Sequence, residues 1–116
     1  MPRNLESTRR RIAVLYYALA QRTPSPIVEL NRAVAVGMAF GPEAGLRLVD
    51  ALLEEPSLAK YHLLPSVRGD LLAKLERHDE AAAEFERAAS LTRNAREQNL
   101  LEERARASRA LSSRAH

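Results

Sequence analysis

The stretch DEAAAEFERA, from Asp79 to Ala88, decides the fold class of this 116-residue chain. Small residues stand at Ala81 and Ala88, the bulky ring of Phe85 lies between them, and most of the other positions are charged. This spacing is typical of a helix that packs closely against a second helix, with the alanines on the contact face. Gly69 and Leu72 are predicted to face it from the preceding helix, where the glycine permits a close approach.

The rest of the chain also has helical periodicity, interrupted by proline-containing breaks, and no segment alternates with period two. Ile12, Leu15, Tyr16 and Leu19 predict the buried stripe of the first helix, and Leu100, Leu101 and Leu111 that of the last. The first three predicted helices are 5–21, 26–39 and 42–54. A fourth starts between 58 and 65 and ends at 76, a fifth starts at 79, and a sixth starts at 94. Asn94 and Glu97 at the start of the sixth are spaced as a capping box. We predict an all-α domain of about six antiparallel helices.

Internal repetition refines this prediction. Residues 42–51 resemble residues 79–88, one helix pair later. The second pair, 62–93, is similar to a tetratricopeptide repeat, and the matching positions are Gly69, Leu72, Ala81, Phe85, Ala88 and Leu91. It departs from that repeat at Pro65, at Glu76 in place of the turn glycine, and at Arg93. The resemblance implies degenerate tetratricopeptide-like repeats that form an α-α superhelix.

The positive charge lies at the two ends of the sequence. The whole chain has a formal charge of +3, but residues 1–11 contribute +3, residues 104–116 contribute +4, and the 92 residues between them sum to −4. We interpret residues 1–11 as a basic lead-in to the first helix, 12–104 as the helical domain, and 105–116 as a basic tail that frays. A nucleic-acid-binding domain concentrates its positive charge on a folded face, so direct nucleic-acid binding is not expected.

A closer resemblance covers residues 12–104. The most specific segment is Pro26-Ile27-Val28-Glu29-Leu30-Asn31-Arg32-Ala33-Val34-Ala35-Val36, and further matching segments are 15–19, 41–46, 61–68, 75–81 and 94–104. Together they resemble the C-terminal extension of a group of extracytoplasmic-function (ECF) sigma factors of the sigma-70 family, which are bacterial initiation factors. The resemblance implies a cytoplasmic, non-catalytic domain that regulates transcription initiation. The implied partners are proteins: the core regions of the sigma factor, RNA polymerase or a regulator.

The polymerase-binding and promoter-reading regions of such a factor are absent from these 116 residues. The chain is therefore interpreted as a fragment, a truncated product or a stand-alone copy of the extension. Two alternatives are a self-associating helical scaffold, including a homodimer, and a stand-alone tetratricopeptide-like adaptor. A third is nucleic-acid binding through the arginine-rich ends.

Polar residues within apolar helix sequence are the candidate protein-binding residues: Asn31, Arg32, Ser66, Arg68, Asp70 and Lys74. One interpretation is structural, because a buried charge needs a partner and these side chains could tie helices together. The other places part of the set on the concave face that holds an extended segment of a partner. On that interpretation Ser66, Asp70, Ala73 and Lys74 line the face, with Leu30 and Val34 on the first pair.

Catalytic, metal and cofactor sites are not predicted. The three histidines lie on different elements without paired spacing, and cysteine is absent. Adjacent acidic residues such as Glu102 and Glu103 diverge by about 100 degrees on a helix and cannot share a substrate. The domain is therefore predicted to have no enzymatic activity and no cofactor, and the chain has no apolar run of the length that a membrane span needs.

Overall fold

Six α-helices account for most of the backbone in the computed structural model, which describes residues 5–22 and 25–115 and the side chains of residues 7–15 and 25–114. They are α1 (Leu5–Arg22), α2 (Pro26–Phe40), α3 (Pro42–Asp50), α4 (Leu63–Lys74), α5 (His78–Leu91) and α6 (Ala95–Ala115). The described residues contain no strand. The predicted all-α fold with six helices is confirmed.

Each helix packs chiefly against the helices that precede and follow it in sequence. The main core runs through α2 to α6, and its largest fully buried side chains include Phe85, Leu58, Leu72 and Val49. A separate, smaller cluster joins α1 to α2 through Ala13, Ala35 and Ala39. The chain is thus a row of helices with one large core and one small cluster at its N-terminal end.

Glycines permit two close helix crossings. A Cβ atom on Gly69 of α4 would lie 2.7 Å from the Phe85 ring of α5, so this crossing has the geometry expected from the sequence. A Cβ atom on Gly45 of α3 would lie 2.8 Å from the Ala33 carbonyl oxygen and 2.9 Å from the Cα atom of Gly37 on α2. The sequence analysis did not identify this second crossing.

The segment between α3 and α4 differs from the prediction. α3 ends at Asp50 instead of residue 54, because the N–H groups of Leu52 and Leu53 bond carbonyls three residues back and tighten the chain into turns. Glu55 is extended, as the residue before a proline prefers, and Pro56–Leu58 forms a 3₁₀ turn. α4 then starts at Leu63 and places Pro65 in its first turn, where the missing N–H costs no helical bond.

The turn between α4 and α5 is a Schellman motif with an unusual residue. Glu76 has φ +60°, the left-handed region that favours glycine. The N–H of Arg77 bonds the Leu72 carbonyl at 2.9 Å, and the N–H of Glu76 bonds the Ala73 carbonyl at 3.0 Å. The position of the repeat's turn glycine therefore keeps the backbone conformation of glycine although the residue is glutamate.

The prediction of a frayed tail over residues 105–116 is wrong for residues 105–115, which continue α6. Ala105, Ser108 and Ser112 are buried, and Arg109 bonds Glu86 of α5 at 2.7 Å. The amphipathic pattern of α6 simply continues past residue 104, and the ion pair fixes it to α5. His116 lies outside the described residues.

Three predicted core positions are exposed. Leu15, Leu100 and Leu111 have exposed fractions of 68%, 53% and 45%. In each case the helix is rotated so that smaller residues face the neighbouring helix: Ala13 on α1, and Ala105 and Ser108 on α6. The predicted side chains of Tyr16 and Leu19 lie outside the described side chains.

The capping box at α6 is half formed. The N–H of Glu97 bonds Asn94 Oδ1 at 2.9 Å, as the spacing predicts. The Glu97 carboxylate does not return to the Asn94 N–H, which bonds Thr92 Oγ1 at 3.3 Å instead. Glu97 pairs with His62 just before α4, and therefore connects α4 to α6.

Candidate interaction face on helices α2 and α4

A groove between α2 and α4 collects part of the predicted binding set. It has a volume of about 170 Å³ and is lined by seven residues. They are Val34, Gly37, Met38, Val67, Asp70, Leu71 and Lys74. We call this the α2–α4 groove, and it brings together the predicted Val34, Asp70 and Lys74. The predicted Ala73 and Leu30 are instead packed in or against the main core.

The α2 wall of the groove belongs to an exposed stripe. Ile27, Asn31, Val34 and Met38 follow one another at i, i+4, i+7 and i+11, and all are exposed. Asn31, Val34 and Met38 also line an adjoining hollow of about 200 Å³. Aliphatic side chains on this stripe make it suited to apolar groups, and Asn31 adds an amide that can donate and accept hydrogen bonds.

One rim of the groove has a charge pair, Asp70 with Arg104, and an exposed lysine, Lys74. The Asp70 carboxylate pairs with Arg104 of α6, and the Arg104 guanidinium lies 4.3 Å from the Phe85 ring centroid. Burial lowers the pKa of Arg104, although the guanidinium stays charged at neutral pH. Lys74 is exposed one turn beyond Asp70. Because Arg104 neutralises Asp70, the rim has a net positive charge.

The other predicted binding residues do not line the groove. Arg32 pairs with Glu29 on the same helix at 3.2 Å. Arg68 bonds Asp50 of α3 at 2.8 Å and lies 3.6 Å from Glu84 of α5. Arg68 therefore ties helices together, as the structural interpretation expects, whereas the Arg32 pair lies within α2. Ser66 is half-buried on α4.

The charge cluster around Arg68 contains a buried carboxylate that is only partly paired. Glu84 is 9% exposed, and its Oε2 atom is buried without a hydrogen-bond partner among the described residues. Burial raises the pKa of Glu84, while the positive charges of Arg68 and Arg87 offset part of that shift. By contrast, hydrogen bonds from arginine lower the pKa of two exposed acids: Arg77 acts on Glu80, and Arg109 acts on Glu86.

Four of the seven residues that line the groove were not predicted as site residues. Gly37, Met38, Val67 and Leu71 were not singled out, and neither was Arg104, which reaches Asp70 from α6. The stripe from Ile27 to Met38 could have been found, since its spacing is visible in the sequence. The residues on α4 and α6 could not, because they depend on which helices become neighbours.

The described residues contain neither a candidate membrane span nor a candidate metal-ligand cluster. Within 5–22 and 25–115, no helix combines the length and apolar character needed to cross a membrane. No group of three or more histidine, aspartate or glutamate side chains in the described part of the chain is placed to hold a metal ion.

The chain is similar in sequence to a bacterial protein. Over 86 residues the chain is 48% identical to an uncharacterized protein of Rhizobium meliloti (strain 1021). The match covers 74% of this chain and 20% of that protein, so the chain spans about a fifth of the length of its relative. No family model matches the chain. No solved structure matches it.

Proposed function

We propose that this chain is a non-catalytic, cytoplasmic protein-interaction module that regulates an ECF-type sigma factor of the sigma-70 family. The α2–α4 groove carries the proposal, because an aliphatic cleft with a polar rim is suited to bind a polypeptide segment. The resemblance of residues 12–104 to the extension of such factors supports the assignment to transcription. The length of the Rhizobium relative leaves room for other domains in that protein.

In this proposal the groove holds a segment of the sigma-factor core regions, of RNA polymerase or of a regulator. Val34, Met38 and Val67 would contact apolar side chains of the segment, and burial of that surface supplies most of the affinity. Lys74 and Asn31 at the edges would set its orientation through polar contacts. No cofactor is required.

The proposal does not extend to direct nucleic-acid binding. Of the four arginines in residues 104–116, Arg104 and Arg109 are paired with carboxylates of α4 and α5. These charges are therefore committed within the protein and do not form a free basic patch.

A deletion experiment tests the function. Promoter activity and polymerase association are compared between the complete sigma factor and the same factor lacking residues 12–104. We expect a change in at least one of the two. If both stay unchanged while the shortened factor remains folded, the regulatory role is excluded.

Point variants then test the groove. Val34→Asp places a charge in the cleft and should reproduce the effect of the deletion, because an unpaired carboxylate disfavours an apolar contact. Leu53→Asp is the matched control, since Leu53 is 39% exposed and Val34 is 37% exposed, but Leu53 lies in the turn after α3. Equal effects of the two variants would contradict a role for the groove.

Self-association is a second candidate function. Leu100 and Leu111 are exposed on α6 and leave apolar surface that a second copy could cover. Sedimentation at dilute concentration separates this scaffold from a regulatory module. An obligate assembly stays associated, and Leu111→Asp should dissociate it.

A further inference from the structure

Helix α1 is packed on one side only. Its inner side meets α2 through Ala13, which is buried, and Ile12, which is partly buried. Its outer side carries Val14 and Leu15, with exposed fractions of 65% and 68%. No other large hydrophobic residue among those described is as exposed. Val14 and Leu15 therefore leave apolar surface exposed on the outer side of α1.

The outer side of α1 has an open, shallow hollow with a basic end. A surface cavity of about 470 Å³ is lined by Ser7, Arg10, Arg11, Val14 and Leu15, which are spaced along one helix face. A second hollow of about 200 Å³ shares Val14 and extends to Phe40 of α2. Phe40 is 57% exposed, and the Arg10 guanidinium lies 5.9 Å from its ring centroid.

We propose that this surface, the α1 strip (Arg10, Arg11, Val14, Leu15 and Phe40), docks an amphipathic helix of a partner protein. The partner helix carries aliphatic side chains that enter the hollows and carboxylates that face the arginines. The strip is separate from the α2–α4 groove, so this inference does not depend on the sigma-factor function.

Charge favours an acidic partner over a second copy of the chain. Residues 1–11 have a net charge of +3, so pairing two α1 strips would bring like charges together. An acidic helix gains attraction from the same arginines, and complementary charge also speeds association. The hollows favour protruding side chains over a membrane surface, into which an amphipathic helix inserts its own apolar side chains.

A designed helix provides the probe. A fluorescently labelled synthetic peptide of about 18 residues carries a leucine stripe flanked by glutamates, and a matched peptide has lysines in place of the glutamates. We expect the 116-residue chain to bind the glutamate peptide at least about tenfold more tightly than the lysine peptide in anisotropy titrations. The difference should shrink as salt is raised, because the arginines are exposed.

Three variants locate the contact. Leu15→Asp and Arg11→Glu should each weaken binding of the glutamate peptide about tenfold or more. Leu111→Asp on α6 is the matched control and should leave affinity unchanged, since Leu111 is a leucine with comparable exposure far along the chain. Val34→Asp should also leave affinity unchanged, which separates the α1 strip from the α2–α4 groove. Thermal melting shows that each variant is folded.

Several results would overturn the proposal. Equal binding of the two peptides would remove its charge basis, and an equal loss with Leu111→Asp would show unspecific contact. Sedimentation that reveals a dimer lost in Leu15→Asp would assign the strip to a second copy. Binding to vesicles of phosphatidylglycerol and phosphatidylcholine that needs Leu15, without binding of the glutamate peptide, would assign it to a membrane surface.

Discussion

The two ends of this row of helices differ in the size of the described side chains that they bury. α4, α5 and α6 enclose Phe85, which is 1% exposed, with Leu72 and Leu101 beside it and Arg104 over its ring. α1 and α2 meet through Ala13, Ala35 and Ala39. Alanines bury little apolar surface, so among the described side chains the C-terminal end buries more of it. Of the described side chains of α1, Val14 and Leu15 are exposed.

Truncation of the phenylalanine should break the better-packed end. Phe85→Ala is expected to lower the free energy of unfolding by about 3–5 kcal/mol, because it leaves a large cavity between α4 and α5. Ile12→Ala at the other end should cost about 1 kcal/mol, since the side chain is only partly buried. Urea-induced unfolding followed by circular dichroism measures both. Similar losses would refute the difference between the ends.

At the crossing of α2 and α3, Gly45 should tolerate substitution by alanine less well than Gly37 does. Gly45→Ala is expected to cost about 1–3 kcal/mol, because the new methyl group meets backbone atoms that cannot move aside. At Gly37 the nearest atom is the Leu71 Cδ2 atom at 3.1 Å, the end of a flexible side chain. Gly37→Ala should therefore cost clearly less. Melting temperatures of the two variants give the ranking, and a reversed ranking would contradict the crossing.

The left-handed turn should be improved by glycine. Glu76→Gly is expected to raise the free energy of unfolding by about 0.5–1 kcal/mol, since glycine adopts φ +60° without steric cost. Glu76→Ala removes the same charge but keeps the strain, so it should not stabilise the protein. If alanine stabilises as much as glycine, charge and not backbone conformation is the cause.

The smallest expected effect is a pH dependence at Glu84. Burial raises its pKa in the folded state, so the unfolded state ionises first and the carboxyl's contribution to stability falls as pH rises above the ordinary value of about 4.3. Relative to Glu84→Gln, the natural protein should lose stability as pH rises from about 4.3.

Glu86 provides the control of opposite sign. Arg109 lowers the pKa of Glu86, so its contribution is present above pH 4.3 or so and is lost as pH falls. Relative to Glu86→Gln, the natural protein should therefore gain stability as pH rises through the acidic range. Unfolding curves at a series of pH values test both variants. Parallel slopes for the two would contradict the assignment.

The fold followed from the sequence because its signals are local. The alanines and phenylalanine of α5 set its buried face, and Pro26 and Pro42 are the first residues of α2 and α3, while Pro65 lies in the first turn of α4. Residues whose fate depends on a distant helix were harder to place. Leu100 has the same apolar character as Leu101, but only contact with α5 decides which of them is buried.

The same distinction applies to the candidate site. Asp70 and Lys74 were predicted on one face from their helical spacing, and the structure places both at the α2–α4 groove. Arg68 belongs to the same helix and the same polar set, but Asp50 and Glu84 hold it on another side. Those partners lie on α3 and α5, and their proximity could not be derived from the pattern around Arg68 alone.

Packing between sequence neighbours also governs how the chain folds. Helices that pack mainly against the next helix along need short loop closures, and such chains fold rapidly and can grow from one stable segment. The α4–α6 segment is the natural starting point, with α3, α2 and α1 added in turn. Because α1 packs chiefly on α2, we expect it to open locally before the larger core does.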